Sequence, residues 1–480
     1  MNESSIVVLD LGSFSTKIGN TGNDKHLRVH PSMIGKNIYP NCLTGLSEIK
    51  GKPPILGNQL QTSLSYIDIE YLINKQGQQY LMNWEGIEQL YSYLLTEELG
   101  TDDLNSVSLL HTLSPYFQKC DQNRILELMF ETFQILEFNF VNEALSLRFG
   151  SGETNGILVE LGHLSTRIYP FNGGEILYSN CQTLGVGGFD LTNGFAQQLK
   201  NSGIQFTSQE EFEIVTEIKH NCCSVNPFHQ GTDPILIKKK YEQITNQNFG
   251  KGSSVEKLMK PNTNSRDLTG NKKTKKSQKI TKNSKSQKKV KKKTGETFSV
   301  QEVFKEREEL NVNNASSEEK IFQQFLQKDG YDDLQIQMPD NSEIRLSTER
   351  FQIPECLFNP KQVNVKQKGL HEQIIQVIQN CNSDLQNNFA FEKIILTGGN
   401  SELQFLSERL MVEILKNDSF DSSVVPEIIS CNNSENHHLS WSGSSIIATI
   451  CKKIPSLLIP KNDYHETGES ILLKKIINNL

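Results

Sequence analysis

At 480 residues and 54.4 kDa, the chain is longer than one hydrophobic core usually serves, so two or more lobes are expected. Apolar residues make up 36% and charged residues 22%, with a mean hydropathy of −0.46; collagen-like, mucin-like and coiled-coil compositions are excluded. The net charge is −7, yet the stretch from Lys272 to Lys293 holds twelve lysines and no acid, leaving −19 on the remainder.

Nine cysteines, odd in number and scattered, contain one vicinal pair, Cys222-Cys223, and no C-x-x-C, so neither a disulfide framework nor a zinc ribbon is expected. Reduced thiols of the cytosol or nucleus fit this usage. No apolar run approaches the ~20 residues that span a bilayer, and Met1 to Ser5 lack a basic, apolar leader, so no membrane partner or secretory route is expected.

In chain order, Ser5 to Asp10 is a short apolar run rich in β-branched residues, followed at once by Leu11-Gly12-Ser13-Phe14-Ser15-Thr16-Lys17. That reads as strand, tight turn, strand. An amphipathic helix is predicted from Asn123 to Leu136, with Ile125, Leu128, Met129, Phe133 and Leu136 on one face, and a second helix over Asn142 to Leu147. The strand Gly156 to Glu160, the turn Leu161-Gly162-His163-Leu164-Ser165-Thr166-Arg167 and the strand Ile168 to Phe171 then repeat the opening design.

From about 228 to 333 the body is interrupted by an insertion containing the lysine run, whose only aliphatic residues are Ile280 and Val290; it is expected to be disordered. A capped helix is predicted near its end, at Ser316 to Leu326. Leu370, Ile374, Val377 and Ile378 form a helical stripe, and the strand Lys393 to Thr397 runs into Gly398-Gly399-Asn400 and a helix predicted over 401–415. Strands alternating with helices predict an α/β fold with mixed sheets.

Asp10, Gly12, Ser13 and Lys17 form either a plain hairpin or an anion-binding turn, since a glycine turn can present backbone N–H groups and the lysine a point charge. A second such turn at Glu160 to Gly162 and the pair Gly398-Gly399 point to two hairpins clamping phosphates and a glycine turn against a nucleoside, a two-lobed nucleotide cleft.

At these residues the sequence resembles actin and the actin-related proteins, nearly end to end. Asp10 to Gly19, Pro31-Ser32, Asn83-Trp84-Glu85, Met129 to Phe133, Ala144 to Leu147, Gly188 to Thr192, Glu213 to Lys219, Glu349 to Phe351, Pro354 to Phe358, Leu396 to Asn400, Trp441 to Ser445 and Lys461 to Gly468 occur in the family's order. The resemblance implies the two-lobed actin fold of duplicated mixed sheets in four subdomains. Subdomain 1 would take 1–31, 75–149 and 439–480; subdomain 2, 32–74; subdomain 3, 150–186 and 367–438; and subdomain 4, 187–366, including the insertion. It also implies ATP or ADP with Mg2+, held by Asp10, Gly12, Ser13, Lys17, Glu160, Gly162, Thr166, Gly187, Gly188, Asp190, Lys219, Gly398, Gly399 and Asn400, with Asp10 touching the metal through water.

The departures bear on chemistry. Glu160 and His163 stand where the family has two aspartates, and a neutral imidazole is a poor partner for the water shell of a hard cation. Asn142 and Arg167 stand where the family has the glutamine and histidine that position the attacking water; arginine cannot serve as a base at neutral pH. His220, Glu402 and Leu403 alter the nucleoside side. Hydrolysis is therefore expected to be weak or absent.

The lysine run, above all Lys272, Lys273, Lys275, Lys276, Lys288, Lys289, Lys291, Lys292 and Lys293, is either a solvated linker, a nuclear-import signal or a nonspecific nucleic-acid contact. No aromatic is interleaved, so base stacking is not indicated. His437-His438 and Cys222-Cys223 lack a second pair at metal-site spacing. The combined reading is a divergent, non-filamentous scaffold subunit of a nuclear chromatin-remodelling or histone-modifying complex. A cytoskeletal family member, in a filament or a dynein-activating complex, is the alternative. A phosphotransferase on the related sugar-kinase fold is disfavoured by the actin-like C-terminal block.

Overall fold

The computed structural model describes residues 6–22, 27–37, 55–57, 59–60, 67–77, 79–100, 103–204, 206, 209–226, 298–299, 334–337, 343–385, 392–417, 426–430, 438–471 and 476–477. The chain divides into two units, Met1–Ile244 with Glu349–Leu480, and Thr245–Thr348.

The larger unit contains two six-stranded sheets of the same design. The first uses β1 (Ile6–Leu11), β2 (Ser15–Asn20), β3 (Arg28–Pro31), β8 (Ser108–Leu113), β9 (Glu137–Asn142) and β19 (Ile459–Pro460), in the order β19-β9-β8-β1-β2-β3. Every residue of β1 and β8 is buried, as expected of central strands covered on both faces. The second uses β10 (Gly156–Leu161), β11 (Thr166–Asn172), β12 (Glu175–Ile176), β13 (Gln182–Leu184), β17 (Lys393–Thr397) and β18 (Glu427–Ser430), in the order β12-β11-β10-β17-β18 with β13 on β11. Each sheet has a central strand that is antiparallel to the next strand in sequence and parallel to a later one. The duplication read from the two turns thus extends to a five-strand path, β9-β8-β1-β2-β3 in the first sheet and β18-β17-β10-β11-β12 in the second.

Small antiparallel pairs, β4 (Met33–Asn37) with β5 (Ile67–Tyr71) and β6 (Ile73–Gln76) with β7 (Gln79–Met82), branch from the first sheet. Ile34, Leu72 and Ile73 pack with Leu9 and Leu11 of β1 in one core.

Helices α3 (Glu143–Ser151) and α8 (Leu439–Lys453) pack together, and α3 contributes to two cores. Leu145 joins Trp441 and Val8, while Ala144 and Leu147 join Leu158 and Phe171. The two helix backbones touch: a Cβ on Gly443 would lie 1.7 Å from the Ser146 carbonyl oxygen, and one on Gly150 2.4 Å from that of Leu439. Ser444 Oγ lies 2.8 Å from Ser146 Oγ and 2.9 Å from Thr112 Oγ1, and the Trp441 indole donates to the Val8 carbonyl at 3.2 Å. The family-like Trp441 to Ser445 segment is therefore the joint of the first sheet with this helix pair.

Other helices are α1 (Trp84–Tyr93), α2 (Lys119–Glu127), α4 (Gly188–Asn201), α5 (Gln209–Cys222), α6 (Leu370–Asp384) and α7 (Leu406–Lys416). The helix expected over 123–136 starts earlier, at Lys119, and passes into a π turn over Leu128–Thr132. Gln134 then takes φ 59°, which turns the chain so that Ile135 is buried and Leu136 is 45% exposed, against the expected stripe. The helix expected over 401–415 is a 3-10 turn, Gly399–Glu402, followed by α7, the two separated by Phe405 at φ 63°.

In the smaller unit, β14 (Phe298–Ser299) runs parallel to β15 (Leu334–Gln337), which pairs antiparallel with β16 (Glu343–Leu346). The lysine run, the helix expected at Ser316 to Leu326 and His437 lie outside the described residues. Among the described residues no helix is long and apolar enough to cross a membrane.

Candidate functional site

Register places one ion pair at the same position of both hairpins. Asp10 pairs across the ladder with Lys17, and Glu160 with Arg167. The turn at each tip is closed alike, Gly12 N–H donating to the Ser15 carbonyl at 3.2 Å and Gly162 N–H to that of Ser165 at 3.0 Å. In the first hairpin Lys17 Nζ donates to Asp10 Oδ2 at 3.2 Å. Ser13 is buried, and Ser32, from the sequence-noted Pro31-Ser32, donates to the Gly12 carbonyl at 2.6 Å and so anchors the turn.

The second hairpin carries a larger network. Arg167 donates from Nε and Nη2 to Glu160 Oε2 at 3.0 and 2.7 Å, and its Nη1 lies 3.2 Å from Glu143 Oε2. The Ser114 hydroxyl donates to Glu143 Oε2, and the Tyr169 hydroxyl donates to Oε1 at 3.3 Å. The Tyr116 ring lies 5.6 Å from the guanidinium carbon, and its hydroxyl donates to the Leu11 carbonyl at 2.7 Å, tying the network to the first hairpin. Burial pushes the Glu143 carboxyl up to about 7, although Arg167 and Ser114 pull the other way. Burial also works against the charge on Arg167, but Glu143 and Glu160 more than offset it and hold the guanidinium protonated.

Asn142 does not join this network through its side-chain oxygen, which caps α3 by accepting from Ala144 N–H at 2.9 Å. Glu143 is the residue sequence reasoning missed. An acid in the first turn of a helix reads as a dipole partner. The signal that could have found it is a strand-borne Arg167, leading into the run Ile168 to Phe171, in need of a buried anion.

The remaining candidate residues gather around these hairpins. Thr166 Oγ1 donates to the Val186 carbonyl at 2.9 Å, while Gly188 and Phe189 N–H donate to the Gly162 and His163 carbonyls at 2.9 and 2.7 Å. Only glycine fits at 187, where a Cβ would lie 2.4 Å from the His163 carbonyl oxygen. Asp190 accepts from Gly187 N–H at 2.9 Å. Lys219 Nζ donates to the Gly188 carbonyl at 3.1 Å, and burial pushes its ammonium down to about 8. Asn400 Nδ2 donates to the Gly162 carbonyl at 2.8 Å, Gly398 takes φ 85° against the Leu161 backbone, and Gly399 faces open space. Asp10, Gly12, Ser13 and Lys17 thus belong to the first hairpin, and Glu160, Gly162, Thr166, Gly187, Gly188, Asp190, Lys219, Gly398 and Asn400 gather about the second, with the two turns bordering one cleft.

Aromatic rings stand in that cleft. Phe14 of the first turn lies 5.2 Å from His163 of the second and 6.1 Å from His220 of α5. His163 also lies 5.8 Å from both Tyr71 and Phe189. Burial, with Lys219, His220 and Lys75 nearby, pushes its imidazole down to about 3, so it is neutral at physiological pH.

The Actin family model matches residues 1–477. The chain belongs to the actin family. A Dictyostelium discoideum protein carrying the name actin-29 is 24% identical over 477 residues, covering 99% of this chain and 97% of that protein. Actin-family proteins generally bind ATP or ADP with a divalent metal. The residues here do not fit a magnesium triphosphate well. Lys17 and Arg167, the cations of the two hairpins, are already engaged by carboxylates, and a neutral imidazole offers no oxygen to a metal's water shell.

Glu143 gives a pH signature. Its folded-state pKa lies above the unfolded value of 4.5, so the native state holds the proton more tightly, and this group's contribution falls as pH rises from 4.5 through about 7. Glu143→Gln removes that dependence. In urea titrations at pH 5 and pH 7.5, the variant should gain relative to wild type at the higher pH; a parallel loss in both proteins would contradict the assignment.

Proposed function

We propose that this actin-family chain is a non-filamentous scaffold subunit of a nuclear protein assembly, one that does not hydrolyse ATP. The observation that carries the reading is the Glu143–Arg167–Glu160 triad. At the place the resemblance gives to a water-positioning histidine, this chain has a guanidinium that stays protonated and is held by two carboxylates, Glu143 buried and Glu160 largely so. It cannot take a proton from water, and losing a positioned base typically costs ~10²–10⁴ in rate. What remains is a large folded body, and actin-like proteins commonly work within protein complexes.

The nuclear address and a nonspecific nucleic-acid contact rest on the lysines from Lys272 to Lys293, and the absence of self-assembly on the −19 carried by the rest of the chain, which repels its own copies. A cytoskeletal role is favoured by one observation, the nearly full-length match to a protein named as an actin. The test is purification of the tagged protein from nuclear and cytoplasmic fractions, with ATP turnover and pelleting measured on the product. The expected result is a fixed-stoichiometry assembly in the nuclear fraction, without turnover or filaments. Regular filaments, or sustained ATP hydrolysis abolished by Asn142→Ala, would overturn the reading.

A further inference from the structure

We propose that the mouth of this cleft is strapped shut by the chain's own side chains, so that its closed shape is set without nucleotide or metal. The inference is independent of the scaffold reading, which concerns partners and would survive a nucleotide-gated shape.

The strap joins elements anchored on different sheets. β5 and β6 are held to the first: Leu72 N–H donates to the Ser32 carbonyl at 3.0 Å, Ser32 N–H donates to the Phe14 carbonyl at 2.9 Å, and Leu72 and Ile73 lie in the β1 core. Helix α4 is held to the second by the Gly188 N–H bond to Gly162. Helix α5 packs on α4, and its Lys219 binds the Gly188 carbonyl.

Two contacts cross from one side to the other. Lys75 Nζ donates to both carboxylate oxygens of Asp190, at 2.9 and 3.1 Å, and to the Gly185 carbonyl at 2.6 Å. All three ammonium protons thus have acceptors, and the pair is largely buried, with side chains 10% and 15% exposed. Such a charge-assisted contact is stronger than an exposed ion pair. The Tyr71 hydroxyl donates to Glu213 Oε1, and the Tyr71 ring stacks on His163 at an interplanar angle of 24°.

Beneath the strap, Phe14 and His163 bring the two turns together through apolar ring contact. Lys17 is satisfied within its own hairpin by Asp10, and Arg167 by Glu160 of its hairpin and Glu143 of α3. In this arrangement neither the attraction across the cleft nor the neutralisation within it requires a bound anion or metal. A ligand shifts a conformational equilibrium only by its differential affinity for the two states, and here the chain's own contacts already favour the closed one.

The test uses the full chain, comparing wild type with Lys75→Ala/Tyr71→Phe and with Lys75→Arg. Radius of gyration by small-angle scattering and the rate of limited proteolysis are read after EDTA and apyrase, and again with Mg-ATP. Wild type should be equally compact and protease-resistant in both conditions. The double variant should be expanded and cleaved several-fold faster in both, with Lys75→Arg close to wild type. Wild type that opens when nucleotide and metal are removed would overturn the proposal, as would a folded double variant as compact as wild type. If the double variant does not fold, the wild-type comparison decides alone.

Discussion

Arg167→Met should destabilise the protein by about 3–5 kcal/mol, the usual result of removing one partner from a buried ion network. The side chains of Arg167, Glu143 and Glu160 are only 8%, 5% and 15% exposed, so neither carboxylate left behind can recover its hydration in the folded state. Both must be buried as unpaired charges or take up a proton. The deficit should therefore deepen as pH rises, because Glu143, already held above its unfolded value by burial, loses the guanidinium that pulls it down, and the native state then holds its proton more tightly still. Urea denaturation followed by circular dichroism at two pH values reads both effects. A triple variant, Glu143→Leu/Arg167→Met/Glu160→Leu, separates burial from packing. Replacing a whole buried ion cluster with apolar groups is often neutral or stabilising, so the triple variant should recover most of what the single one loses. If single and triple variants fall equally, the side chains matter for shape rather than charge.

Gly443→Ala should be the other severe change, although it adds only one methyl group. The new Cβ would fall 1.7 Å from the Ser146 carbonyl oxygen and 2.6 Å from its carbonyl carbon. Backbone atoms cannot rotate aside, so α8 would have to withdraw from α3. That movement would loosen the Trp441 indole bond to Val8 and the Ser444 bridge to Ser146 and Thr112. Overpacking of this kind costs about 1–3 kcal/mol and occasionally more; with backbone as the obstacle, we expect the upper end, seen as loss of soluble protein or a lowered Tm. Gly399→Ala is the control. A Cβ there meets nothing within 4 Å, so its stability should remain at wild-type level.

Local chemistry made much of the fold legible. Short β-branched runs broken by Gly12 and Gly162 gave the two hairpins, and the periodic Leu370, Ile374, Val377 and Ile378 lie on the buried face of α6. The paired turns that the resemblance assigns to a nucleotide were legible as turns, because Gly12 and Gly162 each close one by donating to a carbonyl three residues on. What chain order could not supply was partnership. Arg167 read as a lost base, whereas its role is fixed by Glu143 and Glu160, and only the packing of α3 against the second sheet brings Glu143 within reach. The same holds for the cleft strap, whose partners Tyr71 and Glu213 are 142 residues apart. The π turn after Glu127 and the positive φ of Gln134 escaped notice because helical periodicity does not register a local change of pitch.

The bond from Trp441 to the Val8 carbonyl spans 433 positions of sequence, and that between Gly22 N–H and Ser445 Oγ spans 423. During synthesis, at roughly 5–20 residues per second, the first strand would emerge some ~20–90 s before the helix that covers it. Through that interval β1, whose Ile6 to Leu9 are all apolar, lacks its final neighbour. The nascent chain must therefore be shielded from aggregation until α8 has emerged, and removal of α8 should be felt first at β1.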